Sequence, residues 1–122
     1  MSNNKHFNKA LLWVNRNNIA HVRANTDDIA SPKSYYNRTR NKEIIPDITG
    51  RRKRTKFFIE IATKTEDLQS MISKWKFLQT MAEMAQGKFL LLSPRGHLAF
   101  TKRIVERYGI QAEVHSLALL KN

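Results

Sequence analysis

The sequence predicts an α/β domain in which a small mixed β-sheet carries helices on both faces, in the order α-β-β-β-α-β-α-β. Three observations lead there. Apolar residues recur at helical spacing in three separate segments. Two β-forming segments, EIIPDIT and KFFIEIAT, flank a basic turn and so read as an antiparallel hairpin. Between the last two helical segments lies KFLLLSP, a short continuous apolar run that suits a buried central strand. A hairpin followed by β-α-β crossovers builds a mixed sheet.

In residues 6–17, HFNKALLWVNRN, the residues Phe7, Ala10, Leu11 and Val14 form one stripe with Trp13 beside it, so an amphipathic helix is expected. A turn at Asn17-Asn18 then leads into a short strand containing Ile19 and Val22. Residues 25–43 hold turn formers and Pro32 without a period, and read as an irregular loop with room for one helical turn. The hairpin follows, with GRRKR, residues 50–54, as its connection. Residues 65–86 make the clearest helix, with Leu68, Met71, Ile72, Trp75, Leu78, Ala82 and Ala85 on one face. Thr65 is its expected N-cap, Glu66 and Asp67 lie in its first turn, and Gly87 ends it. GHLAFTKRIVERYG is another amphipathic helix, closed by Gly109, and QAEVHSLALL alternates as a last strand. All 122 residues are expected to form one domain.

Charge narrows the partners. Lys and Arg number 22 against 10 Asp and Glu, a formal net charge of +12. Such a surplus makes a polyanion the default partner, because each cation that meets a phosphate releases a condensed counterion. A merely soluble basic protein is the alternative. With no cysteine, a disulfide scaffold and a thiolate zinc site are both excluded. The polar start MSNNKHFNK has no apolar signal region, and no apolar run approaches a membrane span. A cytoplasmic protein without a membrane partner is the simplest expectation.

The hairpin carries two carboxylates in apolar surroundings. Alternation along KFFIEIATK puts Phe57, Ile59 and Ile61 on one face, with Phe58, Glu60, Ala62 and by extension Lys64 on the other. Across an antiparallel pairing Asp47 can approach Glu60 on that second face. Two carboxylates held together repel unless a proton or a cation lies between them. Hard oxygen ligands suit Mg²⁺ or Mn²⁺, which keep water and substrate phosphate as further ligands. An alternative stays open: Glu60 pairs with a neighbouring Lys or Arg, and Asp47 caps a turn after Pro46.

Pro46-Asp47 followed by a strand bearing Glu60 resembles the PD-(D/E)xK nuclease superfamily, which includes restriction endonucleases and Holliday-junction resolvases. The likeness extends to the order of elements over most of the chain. It implies a restriction endonuclease-like core, with Asp47 and Glu60 as catalytic residues and metal ligands for Mg²⁺ or Mn²⁺. It also implies a lysine two residues after the second acid, where this chain has Ala62. Lys64, which keeps the face by period-2 counting, is the first substitute and Lys74 on the following helix the second. A nuclease of this size often needs a homodimer to cut both strands.

RRKRTK, residues 51–56, offers Arg51, Arg52, Lys53, Arg54 and Lys56 to phosphates at the hairpin tip. Arg38, Arg40 and Lys42 extend the positive region, where Tyr35 and Tyr36 could stack on bases. In SPRGH, residues 93–97, Arg95 stands at a helix N-terminus suited to an anion, or simply at a turn. His21, His97 and His115 lack metal-ligand spacing, and Trp13 and Trp75 read as core. No GxxxxGK[ST], GxSxG or HExxH pattern occurs, so nucleotide hydrolysis, acyl transfer and zincin proteolysis lack support. The expected function is a nucleic-acid-binding protein, DNA favoured, acting as a Mg²⁺-dependent endonuclease. Two alternatives remain: an inactive nuclease-fold binding module, and a basic subunit that meets an acidic protein.

Overall fold

The computed structural model describes residues 4–27 and 29–120. In chain order they form α1 (Asn4–Arg16), β1 (Ala20–Ala24), β2 (Tyr35–Asn37), β3 (Lys42–Ile44), β4 (Ile48–Arg52) and β5 (Thr55–Ile61). Then come α2 (Leu68–Met84), β6 (Lys88–Ser93), α3 (Leu98–Tyr108) and β7 (Glu113–Ser116). Five strands make a mixed sheet in the order β1-β4-β5-β6-β7, and β2 pairs with β3 in a separate ribbon. Pairing is antiparallel from β1 through β5 and parallel from β5 through β7, with α2 and α3 as the crossovers.

The sheet separates two apolar layers. Ala10 and Val14 of α1 pack with Ile48, Phe57, Ile59, Leu90 and Leu92 on one face. On the other face Phe58, Ala62 and Leu91 pack with Trp75 and Leu78 of α2 and Ile104 of α3. The period-2 reading of β5 therefore assigns its two faces correctly. Phe89 to Ser93 are all buried, as expected of a parallel central strand covered on both sides.

Several expected boundaries move. The segment EIIPDIT is not one strand, because Pro46 has no N–H for a ladder. Lys42–Ile44 turn back onto Tyr35–Asn37, and a new strand starts at Ile48. The excursion of residues 25–43 thus contains β2 and most of β3 rather than a helical turn. Gly50, Arg51 and Arg52 belong to β4, and the connection shrinks to Lys53-Arg54, with Lys53 in the left-handed region at φ 57°. The cap of α2 is Asp67, whose Oδ1 accepts from the Ser70 amide at 3.2 Å. Thr65 acts one turn earlier, its hydroxyl accepting from the Asp67 amide at 3.1 Å.

At the other end of α2, Gln86 takes the left-handed conformation that the sequence suggests for Gly87. Gly87 serves a close approach instead, since a Cβ there would collide with the Lys56 carbonyl of β5. Gly109 does close α3 in the left-handed region, at φ 63°. No described helix is long and apolar enough to cross a membrane.

Candidate functional site

Asp47 lies just before β4 and Glu60 one residue from the end of β5. The register pairs Ile48 with Ile59, so one step further sets Asp47 against Glu60. At that step the two strands exchange side chain for backbone. The Asp47 amide donates to Glu60 Oε2 at 2.8 Å, and the Ile61 amide donates to Asp47 Oδ2 at 2.9 Å. Each carboxylate is therefore clasped to the other's strand by one oxygen.

Their remaining oxygens meet a common cation. Lys74 Nζ stands 3.2 Å from Glu60 Oε1 and 3.8 Å from Asp47 Oδ1. Lys74 comes from α2, one helical turn beyond Ser70 and Met71, and all three face the same cleft of ≈ 340 Å³. The Glu60 side chain keeps 5% of its exposure, Asp47 22% and Lys74 27%. Solvent or a ligand thus reaches the site from the Asp47 and Lys74 side, while Glu60 forms its floor.

Burial dominates the electrostatics. It pushes Glu60 up to about 8, with the Asp47 charge adding to the rise and Lys74 opposing it. Asp47 is raised by burial as well, against the pull of Lys74 and the Ile61 amide. Burial by itself would lower Lys74, but the two carboxylates outweigh it and hold the ammonium above its ordinary value. Lys74 is therefore a fixed positive charge at neutral pH, and the two acids still hold protons more tightly than free carboxylates do.

The fold brings Lys74, not Lys64, to the acids. β5 ends at Ile61, and although the Ala62 amide still donates to the Leu92 carbonyl at 2.8 Å, alternation does not continue beyond it. Lys64 is exposed, and its amide donates to His97 Nδ1 at 2.9 Å. Ala62 is fully buried in the layer under Trp75, which explains why the face-sharing position two residues after Glu60 carries no lysine.

The basic run at the hairpin divides. Arg51 and Lys56 are cross-strand partners on the Glu60 face. Arg52 points to the opposite face, stacking 5.0 Å from the Phe57 ring centre and donating to the Asn17 carbonyl at 2.8 Å. Lys53 and Arg54 are exposed in the turn. Arg38 and Arg40 lie in the turn of the β2–β3 ribbon, and Arg40 with Lys42 lines a cleft of ≈ 320 Å³ that also contains Ser70 and Lys74. Tyr36 is exposed, whereas the Tyr35 hydroxyl accepts from Lys56 Nζ at 3.1 Å. Arg95 stands elsewhere, donating to the Ala118 carbonyl at 2.9 Å.

Sequence reasoning missed Ser70, whose i, i+4 spacing from Lys74 was the available signal. It also missed the reciprocal clasp, which depends on the register. Among the described residues no group of three or more His, Cys, Asp or Glu side chains stands together. Two acidic ligands are what these residues offer a metal ion. No family model, curated protein or solved structure matches the chain.

Proposed function

We propose that the chain is a nuclease-like domain of the PD-(D/E)xK type, which binds nucleic acid, DNA in preference, and hydrolyses phosphodiester bonds with Mg²⁺ or Mn²⁺. One observation carries this reading: Asp47 Oδ1 and Glu60 Oε1 converge on Lys74 Nζ at 3.8 and 3.2 Å in an open cleft. Two acids and a lysine are the set the superfamily resemblance calls for, with the lysine supplied from the helix. The sheet order and the helices on both faces are consistent with a restriction endonuclease-like core.

The donor chemistry fits a hard divalent ion. Both free carboxylate oxygens face the point that Lys74 Nζ occupies, and a single octahedral ion with ligands near ~2.1 Å would draw them to within ~4.2 Å of each other and move the ammonium aside. Asp47 and Glu60 would hold the ion, with water and phosphate completing its shell. Once bound, it supplies charge neutralisation at the phosphate and a more acidic water. Lys74, held protonated, serves as a donor to water or a phosphoryl oxygen rather than as a base. Arg40 and Lys42, in the cleft that shares Lys74, hold phosphate oxygens beside the acids. A homodimer would present two such sites for cutting both strands.

The test is a Mn²⁺- and Mg²⁺-dependent cleavage assay on duplex, junction and single-stranded DNA and on RNA. Asp47→Ala is expected to reduce cleavage at least ~100-fold, a loss in the range of one removed charge-stabilising group. Lys74→Ala should lose far more activity than Lys64→Ala. Cleavage that survives Asp47→Ala would sink the proposal. Salt-dependent binding without divalent-dependent cleavage would replace it by an inactive binding module, and no binding at low salt by a subunit for an acidic protein.

A further inference from the structure

A second cationic cleft, of ≈ 390 Å³, opens over the antiparallel half of the sheet. Arg23 of β1, Arg51 of β4, Lys56 of β5 and Lys33 of the preceding loop line it, together with Tyr35 and Thr49, and no lining residue is acidic. Among the described residues none of these four cations is ion-paired with a carboxylate. Tyr35 lines this cleft, whereas its cross-strand partner Ile44 lines the cleft of Arg40 and Lys42. The ribbon therefore borders both clefts.

A backbone irregularity aims one of these cations. Ala20 pairs with Arg51, so a regular antiparallel ladder would put Val22 opposite Thr49 and Arg23 opposite Ile48, in the apolar layer under α1. Instead the register shifts by one residue, with His21 at φ 54°, and Arg23 pairs with Thr49. That extra residue is a β-bulge, a device that re-aims side chains. It leaves Val22 against the apolar layer and turns Arg23 to the same face as Arg51 and Lys56. Without it an arginine would be driven into the core. With it, four positive side chains gather in one concavity of a protein whose net charge is +12.

We propose that this cleft binds the phosphate backbone of a nucleic acid, as a subsite that the carboxylates do not line and that the ribbon borders. A chain that crosses the ribbon engages Arg23, Lys33, Arg51 and Lys56 on one side and Arg40, Lys42 and Lys74 on the other. The binding rests on the nucleic-acid part of the reading above, and only the relation to cleavage rests on its nuclease part.

The experiment measures binding of the full chain to a fluorescein-labelled 20-base-pair duplex, in EDTA, across a salt series. Working without divalent ions separates this test from the cleavage assay, so a protein that never cuts can still pass it. Arg23→Gln with Arg51→Gln removes two cations of the cleft. Lys102→Gln with Arg103→Gln removes two from the exposed face of α3 as an equal-charge control. The cleft pair is expected to flatten the slope of log K against log salt by about 2 and to weaken binding at least ~10-fold near 0.1 M salt. The control pair should change affinity less than ~3-fold, the effect of net charge alone. Lys33→Glu, a reversal in the loop outside the sheet, should weaken binding in the same order and guards against a folding defect. Equal losses for the cleft and control pairs, or no loss for the cleft variants, would overturn the proposal.

Discussion

Glu60 is a carboxyl group on the floor of a cleft, clasped by the Asp47 amide and touched by one lysine. Its value of about 8 lies above the ordinary 4.5, so the folded chain binds this proton more tightly than the unfolded chain does. Stability in the absence of metal therefore falls as pH rises from about 4.5 through about 8. Asp47, raised in the same direction, adds to that fall. Lys74 acts in the alkaline range, where its stabilisation is lost only as pH rises through its own elevated value. Urea denaturation across this window should give a declining midpoint for the native protein and a flatter profile for Glu60→Gln. Parallel profiles would mean that the floor carboxyl is not the titrating group. Added Mg²⁺ should protect more at the upper end of the window, because a metal ion must displace the proton to reach the carboxylate.

The elements that build the site meet at close backbone contacts, and Gly87 marks the tightest. It joins α2 to β6 where the Lys56 carbonyl of β5 leaves no space for a Cβ. Gly87→Ala should cost about 1–3 kcal/mol in urea denaturation, as overpacking in a tightly packed region does. The strain falls on the link that sets the height of α2 over the sheet, so the variant should also weaken whatever depends on Lys74. An unchanged midpoint would show that β6 can shift freely against β5. The helices themselves were legible from their apolar stripes, because Trp75, Leu78 and Ala82 keep one face whatever the partner. Their ends were less so. Asp67, not Thr65, caps α2, and Thr65 instead accepts from the Asp67 amide in the turn before it.

Across the whole molecule, positive charge exceeds what local pairing absorbs. The described ion pairs between lysine and carboxylate use Lys74 and Lys88 against Asp47, Glu60 and Glu113, while the formal charge is +12. Self-repulsion of that size opposes the compact state and is screened as ionic strength rises. The thermal midpoint at pH 7 should rise by a few degrees between ~20 and ~200 mM NaCl, read by calorimetry. A falling midpoint would instead mean that attractive pairs outweigh the repulsion. Duplex DNA binding should weaken over the same range, so salt acts on folding and on the proposed partner in opposite senses.

The α/β pattern, the two faces of β5 and the basic character were all legible in the chain, because each follows from periodicity or composition along a local stretch. The sequence also marked Asp47 and Glu60 as acids in apolar strands. Which lysine reaches them depends on the packing of α2 against the sheet. Counting along β5 favours Lys64, but the strand ends at Ile61, and α2 packs so that Lys74 arrives from above. Tertiary contacts likewise take Arg52 off the Glu60 face and bring Arg23 onto it, the second through one extra residue in β1. Strand ends, bulges and helix docking depend on contacts between residues far apart in the chain. A period read along one segment carries no information about them.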